Sequence, residues 1–283
     1  MGGNYWLASY PKSGNTWMRA FVHNIRSGSD TPADINDLTS GHHAAARPLL
    51  DDVLGFATSD LSADEVERLR PAVYEWIAQD ESVGYHKIHD ACTLTVDGVP
   101  LIGCEGTLGA LYIIRNPLDV APSAAHYWDC SLDDAIGRLA AHQDLAVSER
   151  SLPTQVRQRL LTWSKHVLSW ADAADLRVMV TRYEDLLDDP LSEFARVAAF
   201  LDLPHDEESV GRAVRFSSFD ELSRQERETG FRERPRSAGR FFRSGTSGGW
   251  RRALSKEQVG RVVAAHGEVM ERFGYLDAAG EPR

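Results

Sequence analysis

A lysine, two hydroxyl side chains and a glycine lie close together in the segment Tyr10–Trp17, YPKSGNTW. An apolar run precedes the segment and a helical pattern follows it, so it should connect a strand to a helix N-terminus. Gly14 would let a ligand approach the backbone, and Lys12, Ser13 and Thr16 are donors suited to an anion such as phosphate. Backbone amides at a helix N-terminus favour the same ligand. A tight turn capped by Thr16 is the alternative that needs no ligand.

The order of these residues differs from that of a standard nucleotide-binding P-loop. A standard P-loop has two glycines separated by four residues, followed by Lys and then Ser or Thr. Here the lysine precedes a single glycine. The segment alone therefore indicates an anion site without fixing which anion it binds.

Two further predicted strands end in polar residues. Arg115 ends one of them, and Ser123 follows eight residues later, about two turns into the next helix. Arginine suits bidentate contact with phosphate, although Arg115 could instead pair with Asp119. The other strand ends with Lys87 and His89, which strand alternation places on one side. His89 is therefore a candidate general base, and the alternative is a structural histidine.

One segment, residues 224–252, is basic in an otherwise acidic chain. The chain has 31 basic and 42 acidic residues, a formal charge of −11. The segment contains three glutamates and nine arginines, which are Arg224, Arg227, Arg232, Arg234, Arg236, Arg240, Arg243, Arg251 and Arg252. A local excess of positive charge favours a lid that closes over a polyanion, against the alternative of a solvated loop.

Length and composition indicate an ordinary globular protein of 283 residues with 42% hydrophobic residues. The acidic balance argues against nucleic acid and anionic membranes as partners. Three cysteines without metal-site spacing indicate reduced thiols, and no apolar run reaches the roughly 18 residues of a membrane span. With no signal-peptide pattern at the N-terminus, we expect a cytoplasmic protein.

Strands alternate with helices along the chain, which predicts an α/β fold with a mainly parallel sheet. The predicted strands are 4–10, 82–89, 109–117 and 176–186. The predicted helices are 15–26, 49–56, 62–78 with a kink or split at Pro71, 117–128, 132–141, 156–173, 190–201 and 256–273. We expect one domain, 1–283, with a variable acceptor-side segment at about 31–78 and the lid at about 224–252.

Taken together, these motifs resemble those of the sulfotransferases that use 3′-phosphoadenosine 5′-phosphosulfate (PAPS). Tyr10–Trp17 resembles the loop that holds the 5′-phosphosulfate in that family, and Lys87-Ile88-His89 resembles its Lys-x-His. Tyr183-Glu184-Asp185 and Ser217–Asp220 are similar to two later motifs, and Arg243–Trp250 is similar to the family's lid. The resemblance covers residues 5–275 and preserves the family's order of motifs.

The resemblance implies roles for individual residues. His89 would be the general base, and Lys12 and Lys87 would stabilise charge at the transferred group. Arg115, Ser123 and Arg243 would bind the 3′-phosphate, and Trp17 and Phe219 would enclose the adenine. The implied set of nucleotide-binding residues is Pro11, Ser13, Gly14, Asn15, Thr16, Trp17, Arg115, Ser123, Tyr183, Ser217, Phe219, Arg243, Ser244 and Gly245.

The implied function is transfer of a sulfuryl group from PAPS to a hydroxyl or amine of a small molecule, with PAP as product and no metal. The implied fold is a P-loop-like, mainly parallel sheet with helices on both sides and a C-terminal arginine-rich lid. Ser244 replaces the lid lysine, and Arg240 is a candidate to restore that charge. A homodimer is compatible with the family, but the dimerisation stretch after Trp250 is degraded, so the animal-type dimer is not carried over.

Two other functions remain open at this stage. A P-loop nucleotide kinase or other NTPase would need a Mg²⁺ site and a Lys-Ser/Thr pair after a second glycine, and neither is evident. A non-catalytic protein that binds PAPS or PAP would not need both Lys12 and His89.

Overall fold

The central sheet of the computed structural model, which describes residues 2–145, 153–235 and 239–283, contains four parallel strands. They are β1 (Asn4–Ser9), β2 (Gly84–Ile88), β3 (Thr107–Ile114) and β6 (Val178–Arg182), and their order across the sheet is β2-β1-β3-β6. Two shorter strands, β4 (Gln143–Leu145) and β5 (Gln158–Leu161), form an antiparallel pair outside this sheet. The predicted parallel sheet is confirmed.

Twelve α-helices are found in the described residues. They are α1 (Asn15–Ser27), α2 (Arg47–Leu54), α3 (Ala63–Ile77), α4 (Pro117–Trp128), α5 (Leu132–Ala140), α6 (Trp163–Ala171), α7 (Tyr183–Asp188), α8 (Pro190–Phe200), α9 (Glu207–Phe216), α10 (Phe219–Thr229), α11 (Trp250–Ala253) and α12 (Lys256–Arg272), and a short 3₁₀ turn covers Thr58–Asp60. None of these helices combines the length and the apolar composition needed to cross a membrane.

The helices cover both faces of the sheet. Trp6 and Ala8 of β1 pack into one core with α2, α3, α4, α5, α6 and α12. Tyr5 and Leu7, which point to the opposite face, pack with α1, α8 and α9. Because every residue of β1 is buried, the strand is apolar without alternation, as expected for a parallel strand covered on both faces.

Helix α3 forms as one element despite an internal proline. It begins with a capping box, in which the Ser62 side chain accepts from the Glu65 amide and the Glu65 carboxylate accepts from the Ser62 amide. The split considered at Pro71 does not occur, and the helix runs on to Ile77. Its buried face, which includes Val73, packs into the core and supports the helix through the missing hydrogen bond.

The helix predicted over 156–173 is wrong in its first part. Residues 158–161 form β5, and α6 begins at Trp163 after its N-cap Thr162, whose side chain accepts from the Lys165 amide. The Arg159 backbone bonds to the Asp90 side chain and to the Ala91 amide, so long-range pairing overrides the helical pattern.

Helices α9 and α10 were not predicted. Each has a side-chain N-cap, Asp206 and Ser218 respectively, but the segment carries few apolar residues. Helix α10 extends to Thr229, so the first part of the predicted lid is helical. The remainder, to residue 249, is irregular wherever the structure describes it, and Arg236 lies outside the described residues.

Candidate functional site

The loop between β1 and α1 has the strained geometry of a backbone that approaches a ligand. Lys12 has φ 72° and Gly14 has φ 104°, both in the left-handed region. A Cβ at Gly14 would lie 2.8 Å from the Tyr183 ring. No side chain caps α1, so Thr16 does not act as the cap that the ligand-free alternative required. The first amides of α1 therefore lack a side-chain partner and suit an anion.

Asn15 holds this loop in place. Its Nδ2 donates to the Leu7 carbonyl at 2.8 Å and to Ser9 Oγ at 3.2 Å, which ties the start of α1 to the end of β1. Ser13 is fully buried, and its hydroxyl has no hydrogen-bond partner in the described residues. An unpaired buried hydroxyl is unfavourable in a folded protein, which points to a partner absent from the chain itself.

A cavity of about 690 Å³ opens beside this loop, at the carboxyl ends of the central strands. Its wall includes the three predicted catalytic residues, His89, Lys12 and Lys87. It also includes most of the predicted nucleotide-binding residues, namely Pro11, Gly14, Asn15, Thr16, Trp17, Arg115, Ser123, Tyr183, Phe219, Arg243, Ser244 and Gly245. One cavity thus brings together residues as far apart in the sequence as Pro11 and Gly245.

Two of the predicted residues, Ser13 and Ser217, do not line the cavity. Ser13 lies beneath the loop and would present its backbone to a ligand there. The Ser217 hydroxyl donates to the Ala213 carbonyl at 2.7 Å, at the end of α9. The structure therefore gives the Ser217 side chain a helix-terminating contact.

Six cationic side chains line the cavity, and Lys12, Lys87, Arg115 and Arg243 form a cluster among them. Burial, followed by the charges of the other three, lowers the pKa of Lys12 to about 7. Its Nζ lies 3.9 Å from the centre of the Phe241 ring and 4.5 Å from that of Tyr127. Such a concentration of like charges in a partly buried site is suited to a polyanion.

His89 is held in one tautomer by the chain. Its Nδ1 lies 2.8 Å from the Ser9 carbonyl oxygen, which can only accept, so Nδ1 carries the proton and Nε2 has the free lone pair. Burial and then the Lys87 charge lower the pKa of His89 to about 3. The imidazole is therefore neutral at pH 7, the state that a proton acceptor requires.

A second histidine supports this arrangement. His166 donates from Nε2 to the backbone carbonyl of His89 at 3.0 Å, while its Nδ1 accepts from the Tyr112 hydroxyl at 2.8 Å. His166 is fully buried, and burial lowers its pKa to about 4. The hydrogen bond from His166 therefore fixes the backbone of His89.

Lys87 is paired in this structure with a carboxylate of the lid. Its Nζ lies 2.9 Å from Glu233 Oε2, and Glu233 also bonds to the Arg19 guanidinium. Burial alone would raise the pKa of Glu233, but the charges of Lys87 and Arg19 lower this pKa below its ordinary value. Burial also lowers the pKa of Lys87, with Glu233 opposing the shift. Glu233 is a cavity residue that the sequence motifs did not indicate.

Arg115 lies across the cavity from this ion pair. Its guanidinium carbon is 4.2 Å from the centre of the Tyr183 ring, and its nitrogens donate to the carbonyls of Lys12 and Thr246, each at 3.1 Å. Its Nε is buried without a partner in the described residues. The guanidinium is thus positioned by the loop, the lid and an aromatic ring.

Asp119 does not pair with Arg115, which was the alternative explanation for that arginine. Its two carboxylate oxygens accept from the backbone amides of Gly248 at 2.7 Å and Trp250 at 2.9 Å. Asp119 therefore anchors one end of the lid to α4.

Glu226 anchors the lid nearer its middle. Its carboxylate accepts from the amides of Phe241 at 2.7 Å and Phe242 at 2.9 Å. A Cβ at Gly245, where φ is 60°, would lie 2.3 Å from the Phe219 ring, so only glycine fits at this position. The lid is thus held against the cavity by a set of specific contacts.

Several cavity residues were not predicted. They include His43, Leu145, Gln155 and Gln158, together with Glu233. Arg240, the residue considered as a replacement for the lid lysine, is not on the cavity wall, whereas Arg252 is. No group of three or more His, Cys, Asp or Glu that could hold a metal is found in the described residues.

Sequence comparisons identify the family of the chain. The sulfotransferase-domain profile matches residues 3–274. Mouse sulfotransferase 1B1 is 26% identical over 95% of this chain and 83% of its own length. Cytosolic sulfotransferase 17 of Arabidopsis thaliana is 24% identical over 97% of this chain and 76% of its own length.

Solved structures show the same fold. Mouse sulfotransferase SULT7A1, crystallised with PAP, superimposes with a TM-score of 0.60 over 95% of this chain and 84% of its own, at 18% identity. Retinol dehydratase in complex with retinol and PAP gives a TM-score of 0.59 over 95% and 81%, at 19% identity. With the profile matching almost its full length, this chain belongs to the sulfotransferase family.

Proposed function

We propose that this sulfotransferase uses PAPS as its sulfuryl donor and a small molecule as its acceptor, and that it releases PAP. The observation that carries the proposal is the shared cavity of a four-cation cluster and a neutral His89 whose Nε2 is free. The cations suit a ligand with several negative groups, and the imidazole suits removal of a proton from an acceptor hydroxyl or amine.

The residues of the cavity fit PAPS. The amides that begin α1, with Lys12 and Thr16, would hold the 5′-phosphosulfate. The unpaired Nε of Arg115 and the buried hydroxyl of Ser13 are polar groups that lack a partner within the described chain. Of the two residues only Arg115 lines the cavity, and a phosphate-bearing ligand there offers it acceptor oxygens.

Arg115, Ser123 and Arg243 would hold the 3′-phosphate, and Trp17 and Phe219 would enclose the adenine. Ser244 occupies the place of the family's lid lysine. Arg252 lines the same cavity and is our candidate for the missing cation. Tyr183, which packs against both Trp17 and Arg115, would join the adenine side to the phosphate side.

In the proposed reaction, PAPS supplies the sulfuryl group and the chain supplies the proton acceptor and the positive charges. His89 Nε2 would take the proton from the acceptor, and the Ser9 carbonyl would stabilise the imidazolium through Nδ1. Lys12 and Lys87 would stabilise negative charge at the transferred group. General-base catalysis by a positioned histidine contributes about 10²–10⁴-fold, and prearranged charges often contribute more.

Replacement of the base tests this assignment. In His89→Ala, we expect the turnover number for sulfuryl transfer to fall about 10²–10⁴-fold, while calorimetry shows PAP binding close to that of the wild type. The exposed His205 provides a matched control, because His205→Ala should leave both quantities unchanged. Turnover that survives in His89→Ala would contradict the role of His89 as base.

The two other functions are separated by ligand binding and turnover. A kinase or NTPase should bind Mg²⁺-ATP more tightly than PAP, whereas our proposal expects PAP to bind more tightly, since ATP has no 3′-phosphate for Arg115 and Arg243. A non-catalytic binding protein should bind PAP but release none from PAPS in the presence of an acceptor panel. Either result would overturn the proposed function.

We also propose that the protein works in the cytoplasm. The three cysteines are free thiols in the structure, as expected in a reducing compartment. One of its relatives is named a cytosolic sulfotransferase. Fractionation of the source cells with an antibody to the protein would test this placement.

A further inference from the structure

The acceptor side of the cavity is more polar than its position beside an aromatic lid would suggest. We define the acceptor wall as five residues of the cavity, His43, Tyr127, Leu145, Gln155 and Gln158. Only Leu145 among them has a wholly apolar side chain. The rings of His43 and His89 are 6.0 Å apart, so the wall adjoins the proposed base.

Backbone pairing fixes Gln158 close to His89. The amide of Arg159 donates to Asp90 Oδ1 at 2.9 Å, and the amide of Ala91 donates to the Arg159 carbonyl at 2.7 Å. The start of β5 therefore runs beside the residues that directly follow His89. These backbone hydrogen bonds of the neighbouring Arg159 therefore fix the position of Gln158 in the acceptor wall.

Gln158 has an unsatisfied polar atom. Its side chain is 1% exposed, and its Nε2 donates to Gln155 Oε1 at 3.0 Å. Its Oε1 is buried without a hydrogen-bond partner in the described residues. Reversing both amides would keep their mutual bond and leave the Gln158 nitrogen unpaired instead. In either orientation, one polar atom of Gln158 lacks a partner.

A buried amide atom without a partner is costly, and a ligand that supplies the partner recovers that cost. A hydroxyl group both donates and accepts, so it satisfies Gln158 in either orientation. We propose that Gln158 binds a second hydroxyl of the acceptor, so that the preferred acceptors are small molecules with at least two hydroxyls. The inference rests on the proposed function, since it concerns the acceptor of the same site.

Matched pairs of acceptors test this inference. The pairs are phenol with catechol, and cyclohexanol with cis-1,2-cyclohexanediol, each assayed for sulfated product with PAPS. Sites that hydrogen-bond a substrate hydroxyl discriminate strongly against the analogue that lacks it. We expect the wild-type kcat/KM, counted per hydroxyl, to be higher for at least one diol by about tenfold or more.

Gln158→Leu should remove this preference by lowering kcat/KM for the diol to that of the mono-alcohol, with PAP affinity retained. The exposed Gln79 supplies the control, and Gln79→Leu should keep the wild-type preference. If Gln158→Leu fails to fold, Gln158→Met replaces it in the same assay. Equal wild-type values within both pairs, or a preference that survives in the Gln158 variant, would overturn the inference.

The outcome also separates this inference from the proposed function. If the protein neither binds PAP nor sulfates any acceptor, the proposed function fails and the inference fails with it. If phenol is sulfated but no diol is preferred, only the inference fails. If PAP binds but none of the four compounds reacts, calorimetry on the PAP complex decides the matter, and equal affinity for diol and mono-alcohol counts against Gln158.

Discussion

The two sides of the cavity are built in different ways. The side proposed for the nucleotide comes from short contiguous segments, above all the loop around Gly14 and the lid around Gly245. The acceptor wall comes from single residues of separate segments, such as His43 and Gln158, joined by long-range backbone pairing. Binding on the nucleotide side depends on the conformation of the backbone. Binding at the acceptor wall depends on side chains that tertiary contacts bring together.

This difference implies that substitutions on the nucleotide side should damage catalysis for every acceptor. Substitutions on the acceptor wall should instead change which acceptor is used. Changes at Lys12 and Gly14 test the expectation for the nucleotide side, and the Gln158 experiment tests the expectation for the acceptor wall.

On the nucleotide side, the largest effect is expected from Lys12→Ala. It removes a charge proposed to act on the transferred group, and losses of prearranged charge typically reduce turnover about 10²–10³-fold. The melting temperature should not fall much, because the substitution also relieves repulsion from Lys87, Arg115 and Arg243. Turnover and thermal unfolding measured side by side check both parts. The exposed Lys165 serves as control. An equal loss of turnover in Lys165→Ala would contradict a specific role for Lys12.

A smaller effect is expected from Gly14→Ala, which removes no charge and acts on the site only through the conformation of the loop. The added Cβ would meet the Tyr183 ring at 2.8 Å in a backbone with φ 104°. Strain of this kind costs about 1–3 kcal/mol, and PAP affinity should fall about tenfold as the loop shifts.

Gly28 allows a matched control for that experiment. It also has positive φ, at 60°, but nothing lies within 4 Å of its Cβ position. Gly28→Ala should lower the free energy of unfolding by about 1 kcal/mol and leave PAP affinity intact. If both variants lose affinity equally, strain in the loop is not the cause.

The smallest effect is a pH dependence. The folded-state pKa of Lys12 is about 7, below the ordinary value of 10.5. Between these values the unfolded chain binds more protons, so the unliganded protein should become more stable as pH rises above 7, by up to about 1.4 kcal/mol per pH unit. PAP binding favours the charged lysine, so PAP affinity should fall over the same range.

Calorimetry at pH 7, 8 and 9 measures this affinity, and buffers with different ionisation enthalpies measure the proton uptake. We expect the Kd for PAP to rise by about fivefold between pH 7 and 8. The rise should be absent in Lys12→Met, and an unchanged rise in that variant would assign the titration to another group.

The same contrast explains what the sequence could predict. The sheet followed from buried apolar runs, and the loop and Arg115 followed from motifs at strand ends. His43, Gln158 and Glu233 were not predicted, because each depends on a contact between segments far apart in the chain. Gln158 lies in a stretch with a helical pattern, and its pairing with β4 and beside Asp90 makes it part of a strand. Helices α9 and α10 were missed because their caps were present without a strong apolar repeat.

Glu233 gives the lid an electrostatic consequence for ligand exchange. Its carboxylate pairs with both Lys87 and Arg19, so neither of these largely buried cations lacks a counter-charge. An incoming anion next to Lys87 must share that cation with Glu233 or replace it. The affinity for such an anion is therefore set by the difference in free energy between two ion pairs of Lys87, one with Glu233 and one with the ligand. When the anion leaves, Glu233 is available to pair with Lys87 again. Under the proposed function, a lid carboxylate that pairs again with Lys87 would favour release of the product over its tight retention.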